Sequence, residues 1–230
     1  IIRQIPQLEI SDIDGNCLVA IRHMHEFTAN DLEEIKLLAE QTKLMIMLQG
    51  NDLELKPIHK VSQYPQKMLS HGLEYHVDLN DFVQINADVN SKMIEHIKEQ
   101  IGSNNTRIHD FFCGIGNITL ALHQHAQEVI GYELSELMIK KAKELAKNNK
   151  ITSCEFVSKD LFVPDFSKID FKLDDVVILD PPRSGAEVLS KELSQLNVHQ
   201  LIYVSCNYQS LIRDLQILKT NYQIKSVTIF

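Results

Sequence analysis

Four short segments of this chain carry side chains whose types and order could do chemistry. Cys206 stands in Ser205-Cys206-Asn207, at the end of an apolar run and just before a helix that the pattern starts near Tyr208. A thiol beside a helix amino end feels the positive end of the helix dipole. That favours the thiolate, the form that attacks an electrophilic carbon. Asp180 ends another apolar run and is followed by Pro181-Pro182-Arg183. Two prolines lack an N–H and hold the residues before them extended, so the loop beside this acid is stiff.

The third segment, Asp110-Phe111-Phe112-Cys113-Gly114-Ile115-Gly116-Asn117, places two glycines where a strand passes into a helix. Glycines there allow a tight turn and a close approach to a ligand. The fourth is Glu133, which closes the next apolar run, where a carboxylate can accept hydrogen bonds from a ribose. The nicotinamide pattern GxGxxG is not completed, because Thr119 stands where the third glycine belongs. Taken singly, Asn117 reads as a helix cap and Glu133 as a surface acid. In register with the strands they point to a nucleoside-type cofactor. Cys113 competes with Cys206 for the nucleophile role, but its place in the glycine turn predicts a small packing residue, so the role falls to Cys206.

These residues need a scaffold, and the hydrophobic pattern from Asp88 onward supplies one. Val89, Met93, Ile97 and Ile101 fall four apart on one helical face, with Gly102 as the C-cap. Strands follow at 108–112, 129–133, 155–159, 176–180, 201–205 and 223–230. Helices fit at 117–126, 135–149, 187–195 and 208–219 between them. Continuous apolar strands alternating with amphipathic helices predict an α/β fold with a parallel sheet covered on both faces. Residues 1–86 read differently, as short strands around one helix. Asp14-Gly15 marks a hairpin, Asn30 and Glu33 have capping-box form before a helix running to about Thr42, and LMIMLQ, LELKPI and LEYHVDL read as further strands. This is a small α+β domain without legible chemistry, followed by the α/β domain at 87–230.

The composition bounds the partners. The chain has 230 residues and a formal charge of −8, of which −6 falls on residues 1–86. A bulk field that holds nucleic acid is therefore excluded, and any polyanion site belongs on the second part. The longest apolar runs are far shorter than the roughly 20 residues of a membrane-spanning helix. No secretory pattern opens the sequence, so a cytoplasmic protein is expected. The four cysteines lie far apart and the HxH pairs, His23 with His25 and His123 with His125, lack a third ligand at metal spacing. No metal is expected.

In their order and separations, FVQIN (82–86), DFFCGIGNITL (110–120), Glu133, Asp160 in SKDLF, DPPRSG (180–185) and YVSCN (203–207) resemble the S-adenosylmethionine-dependent RNA (uracil-5-)-methyltransferases. The resemblance covers nearly the whole chain and is closest to the branch that modifies uridine in 23S ribosomal RNA. It implies a Rossmann-like class I methyltransferase sheet, S-adenosyl-L-methionine as cofactor and 23S ribosomal RNA as substrate. By position it assigns cofactor contacts to Gln84, Phe112, Asn117, Glu133, Asp160 and Asp180, and the nucleophile to Cys206. In that chemistry the thiolate adds to carbon 6 of uracil, carbon 5 takes the methyl group, and a base then removes the carbon-5 proton as the thiol leaves.

Three departures qualify the resemblance. Tyr208 stands where the family has proline after the SCN motif. The oligonucleotide-binding barrel of the TRAM type and the iron-sulfur cysteines of the branch are not found in this chain. The family's glutamate base and final antiparallel strand belong to a segment following the last residue, Phe230. The expectation is that these 230 residues bind cofactor but turn over slowly, and that a longer parent protein is the working enzyme. Two other functions fit some of the same residues: methylation of an exocyclic amine, because DPPR resembles DPPY-type loops, and a non-catalytic RNA-binding module that keeps the cofactor fold.

Overall fold

The computed structural model describes residues 5–13, 16–51, 55–58, 66–77, 86–102, 105–163, 166, 169–196 and 198–230. The chain divides into two compact units, Ile1–Leu69 with Glu74–Val83, and Ser70–Leu73 with Gln84–Phe230. In the first, β1 (Gln7–Ile13) pairs antiparallel with β2 (Asn16–Arg22), as the Asp14-Gly15 signal predicts, although those two residues lie outside the described ones. Helix α1 (Ala29–Thr42) then carries the chain over to β3 (Met45–Gln49), parallel to β2, and β4 (Leu55–Pro57) closes the sheet antiparallel to β3. Ile21, Phe27, Ala39 and Ile46 form its buried centre.

The capping box of α1 is not at Asn30 and Glu33. Thr28 and Asp31 form it, the Thr28 hydroxyl accepting the Asp31 N–H at 3.2 Å and the Asp31 carboxylate accepting the Thr28 N–H at 3.0 Å. Starting the helix there sets Phe27 and Leu32 in one apolar cluster, a staple across the helix entry. A hairpin that the sequence did not announce follows. β5 (Gln66–Ser70) pairs with β6 (Leu73–Val77) through His71 and Gly72, both at positive φ, 51° and 77°. Histidine is one of the few side chains that enters this region readily, so no second glycine marks the turn.

The second unit opens with α2 (Ala87–Ile101), capped by Asn86, whose side chain accepts the Val89 N–H, and ended by Gly102 at φ 74°. Then come β7 (Asn105–Phe111), α3 (Asn117–Ala121), β8 (Ala126–Glu133), α4 (Glu136–Asn148), β9 (Cys154–Ser158), β10 (Val176–Leu179), α5 (Glu187–Leu193), β11 (Gln200–Tyr203) and α6 (Tyr208–Leu218). The sheet runs β11-β10-β7-β8-β9 and every pairing is parallel. All four residues of β10 are fully buried. Val176 and Ile178 pack with α2 on one face, and Val177 and Leu179 pack with Leu189 and Leu193 of α5 on the other. A strand covered on both faces is why VVIL reads as an unbroken apolar run, each side chain contributing about 1.5–3 kcal/mol.

Two expectations for this unit need correction. Helix α3 ends at Ala121 rather than near 126, because residues 122–125 close in turns, among them His125 N–H to Leu122 O at 2.8 Å. No strand forms at 223–230. A strand exists through a neighbour's hydrogen bonds, and no described strand lies outside β11 to supply them. Instead Thr228 lies 3.0 Å from the His96 ring nitrogen and Phe230 packs edge-on against that ring.

Candidate functional site

From β7 the sheet grows through β8 to β9 on one side and through β10 to β11 on the other. Open α/β sheets bind ligands outside the carboxyl ends of their strands at such a reversal. The chemistry-bearing residues collect there. Past the end of β7 the backbone turns through Phe112, at φ 68°, and both the Phe112 and Cys113 N–H groups donate to Tyr132 O at 2.9 and 3.1 Å. A left-handed conformation costs a bulky side chain on the order of 1–2 kcal/mol, a strain found mostly at functional turns. Gly116, at φ 93°, is required twice over, since a Cβ there would also sit 3.1 Å from the Phe156 ring. A Cβ at Gly114 would meet nothing within 4 Å, so this glycine borders open space.

The Gly114 N–H donates to Glu133 Oε2 at 3.3 Å, and the Ser135 N–H donates to Oε1 at 3.0 Å. Two donors leave a carboxylate with acceptor sites to spare, and Glu133 is half-buried at the end of β8. Two further acids flank the turn. Asp110 is fully buried and accepts the Thr119 hydroxyl at 2.5 Å, while its Oδ1 has no hydrogen-bond partner. Burial, reinforced by the Asp180 charge and only partly offset by Thr119, pushes Asp110 up to about 7. Burial lifts Asp180 to about 6. Its N–H donates to Phe111 O at 3.3 Å, which continues the β10–β7 ladder into the loop.

The remaining cofactor candidates are spread along the same edge. Asn117 does not cap α3, since Gly116 does. Its side chain exchanges two hydrogen bonds with Asn90 of α2, at 2.9 and 3.0 Å. Asp160 is exposed beyond β9 and accepts the Phe162 N–H, which brings the Phe162 ring 5.7 Å from that of Phe112. Gln84 lies outside the described residues.

The thiols separate by environment. Cys113 is buried in the turn and burial drives its pKa far up, with Asp110 and Glu133 adding to the effect. Cys154 is pushed up to about 12, chiefly by burial. Cys206 is exposed, between the end of β11 and the start of α6. Asn207 caps α6 through the Gln209 N–H at 3.1 Å and donates from Nδ2 to Arg183 O at 2.8 Å, which ties the cysteine segment to the Asp180-Pro-Pro-Arg loop. Tyr208, where the resemblance expects proline, is the first residue of α6, a position that proline also favours.

Asp110, Thr119, Asn90 and Asp214 belong to this edge and were given no role from sequence. Asp110 had a signal, a carboxylate directly before two phenylalanines at the end of a strand. Asn90 and Asp214 read as polar positions on amphipathic helices. Among the described residues no cluster of metal-ligating side chains occurs, and no helix is long and apolar enough to cross a membrane.

Residues 11–230 match the family described as tRNA (uracil-5-)-methyltransferase. The chain is 38% identical over 240 residues to a 23S rRNA (uracil(1939)-C(5))-methyltransferase, RlmD, of Francisella tularensis subsp. novicida (strain U112), covering 99% of this chain and 53% of that protein. It is 37% identical over 231 residues to the protein of the same name from Hahella chejuensis (strain KCTC 2396), covering 95% and 51%. The chain thus spans about half the length of the curated relatives it matches. Among solved structures, Pyrococcus abyssi tRNA (uracil-54, C5)-methyltransferase in complex with S-adenosyl-L-homocysteine has the same fold, with a TM-score of 0.69 at 21% identity over 92% of this chain and 52% of that one.

Proposed function

We propose that this chain, which belongs to the tRNA (uracil-5-)-methyltransferase family, is the part of an enzyme that transfers a methyl group from S-adenosyl-L-methionine to carbon 5 of a uridine, in 23S ribosomal RNA in the cytoplasm. Residues 87–230 are the methyltransferase domain and residues 1–86 its companion. The observation that carries the reading is the exposed Cys206 thiol at the start of α6, tied through Asn207 to the loop after Asp180 at the sheet edge where Glu133 and the glycine turn stand.

The residues present suit the cofactor. Glu133 retains acceptor sites for a ribose, Gly114 borders open space, and Asp110 keeps a buried oxygen without a donor. Glu133, Phe112, Asn117, Asp160 and Asp180, with Gln84, are the residues proposed to hold it. When bound, S-adenosyl-L-methionine supplies an electrophilic methyl group on a sulfonium. The chain's own work is to make carbon 5 a nucleophile. Cys206 thiolate adds to carbon 6, and the electron pair of the carbon 5–carbon 6 double bond moves toward the carbonyl, so that carbon 5 becomes enolate-like. After methyl transfer the carbon-5 proton goes to a base, the double bond re-forms and the thiolate departs.

An RNA carrying 5-fluorouridine has no proton to lose from carbon 5, so the sulfur–carbon bond persists and the adduct is read by mass. The adduct is expected in wild type and in Cys113→Ala, and absent in Cys206→Ala. An adduct that survives Cys206→Ala and disappears in Cys113→Ala would sink the assignment. Methylation unaffected by Cys206→Ala would favour the exocyclic-amine reaction, and binding of S-adenosylhomocysteine with no methyl reaching any RNA would favour the non-catalytic module.

A further inference from the structure

Ala186, Tyr203 and Asp214 come from three different parts of the chain and meet at one carboxylate oxygen. Asp214, in α6, is fully buried, and its Oδ2 accepts the Tyr203 hydroxyl at 2.6 Å and the Ala186 N–H at 2.7 Å. Its Oδ1 accepts Arg213 Nε at 2.8 Å, and Arg213 Nη2 reaches Ser184 O at 2.8 Å. One turn earlier, Asn207 Nδ2 and Ser210 Oγ both donate to Arg183 O, at 2.8 and 3.1 Å. The backbone of residues 183, 184 and 186 is therefore held by side chains of α6 and of its cap. Gly185 shows how close the two lie: at φ 79°, a Cβ there would stand 2.6 Å from both Arg213 Nη2 and Asp214 Oδ2. Burial and the Asp214 carboxylate raise the Tyr203 pKa, so its hydroxyl stays protonated and the bond to Asp214 persists through neutral pH.

Replacing a whole buried ionic network by well-packed apolar residues is often neutral or stabilising, so stability alone is a weak reason to keep this one. Here, apart from Arg213 beside it, each partner of Asp214 belongs to the loop that begins at Asp180 or is Tyr203, the last residue of β11 before the cysteine segment. Resting on the reading of Cys206 as nucleophile, we infer that Asp214 is a positioning residue. It locks the Asp180–Ala186 loop to the helix that starts beside Cys206, so that acid and thiol are held as one body. Asp214 touches neither substrate nor cofactor.

The test uses the full chain with Asp214→Ala, Asp214→Asn or Tyr203→Phe, a thermal melt of each, and the rate of adduct formation with 5-fluorouridine RNA and S-adenosylmethionine across RNA concentrations. Asp214→Ala is expected to lower the maximal trapping rate about 10- to 100-fold, the effect of misplacing a reacting group, with the half-saturating RNA concentration unchanged. Asp214→Asn keeps one acceptor oxygen for Tyr203 and Ala186 and gives up the one that Arg213 uses, so it should come within about threefold of wild type, the size of one neutral hydrogen bond. Tyr203→Phe should fall between them. Hydrogen exchange at Ser184–Ala186 and Ser205–Asn207 should quicken together in Asp214→Ala. A wild-type maximal rate in Asp214→Ala, or an asparagine variant no faster than the alanine one, overturns the inference. If Asp214→Ala does not fold, an unchanged rate in Tyr203→Phe overturns it. If wild type forms no adduct, the reading of Cys206 has failed instead. Exchange in Tyr203→Phe and Asp214→Ala then decides, and protection equal to wild type in both overturns the inference.

Discussion

Asp175 and Asp110 are both closed to solvent in the same parallel sheet, at opposite ends of its strands, and their hydrogen-bond surroundings differ. Asp175 precedes β10 at the amino edge. It accepts Arg107 Nε at 3.1 Å and Nη2 at 2.7 Å, the Lys172 N–H at 2.7 Å, and lies 3.0 Å from His109 Nε2. Burial lowers the His109 pKa, so a neutral ring donates to Asp175 and accepts the Tyr132 hydroxyl at 3.0 Å. Burial alone would raise Asp175, but Arg107, the Lys172 N–H and His109 outweigh it and hold its carboxyl below the usual range. Asp110, at the carboxyl edge, is answered by Thr119 alone, and one of its oxygens has no donor. Both carboxyls are closed to solvent but Asp110 is the more heavily desolvated, and the number of donors decides how far each penalty is met. The amino edge is saturated and serves the fold. The carboxyl edge is left shorter of donors.

The largest effect should come from breaking the saturated side. Asp175→Ala strands Arg107 and His109 in the interior and should destabilise by about 3–5 kcal/mol, read from denaturant unfolding. Asp110→Asn at the same pH should cost far less, and comparable losses would erase the distinction between the edges. Next is the pH dependence, where the two acids carry opposite signs. Asp110, held at about 7 against an ordinary 3.8, binds its proton more tightly when folded. Stability should therefore fall as pH rises from about 4 to 7, by at most roughly 1.4 kcal/mol per pH unit from this group. Asp180 adds the same sign up to about 6. Asp175, lowered in the fold, contributes stability that is present above its unfolded pKa and lost as pH falls through the folded one. Urea titrations from pH 4 to 8 should show the neutral-side slope shrink in Asp110→Asn and persist in Asp175→Asn.

Smaller effects sharpen the same contrast. In Gly131→Ala the new Cβ would sit 2.8 Å from Cys113 Sγ and 2.9 Å from Thr119 Oγ1, the hydroxyl that donates to Asp110. Overpacking of this kind costs about 1–3 kcal/mol, and it should weaken S-adenosylhomocysteine binding in calorimetry more than Asp175→Asn does. The smallest effect belongs to Lys191→Ala, which removes an exposed ion pair with Glu187 at 2.6 Å and should change stability by no more than about 0.5 kcal/mol. A larger loss there would show that exposed pairs rival the buried network.

Much of the scaffold was legible because it is periodic. The apolar face of α2 reads directly from Met93, Ile97 and Ile101 with Gly102 behind them, and β10 from four consecutive buried residues. Failures came where two local solutions compete or where a partner is needed. Thr28-Asp31 won over Asn30-Glu33 because Phe27 had to reach the core, and residues 223–230 alternate like a strand but have no neighbour among the described strands to pair with. Gln7–Ile13 and Asn16–Arg22 paired as expected, whereas the His71-Gly72 turn carried only half of the usual signature.

By themselves, the residues determined the order of strands and helices from α2 to α6, the glycine turn, and the placing of Glu133, Asp180 and Cys206 at strand ends, because each rests on spacing within a few residues. The tertiary structure alone decided that Cys113 is buried and Cys206 exposed, that Asn90 answers Asn117, that Asp175 is answered by Arg107, Lys172 and His109 while Asp110 has only Thr119, and that Asp214 fastens the loop before α5. Desolvation and hydrogen bonding act between groups brought together from tens of residues apart, and that proximity exists only once the sheet has set its order.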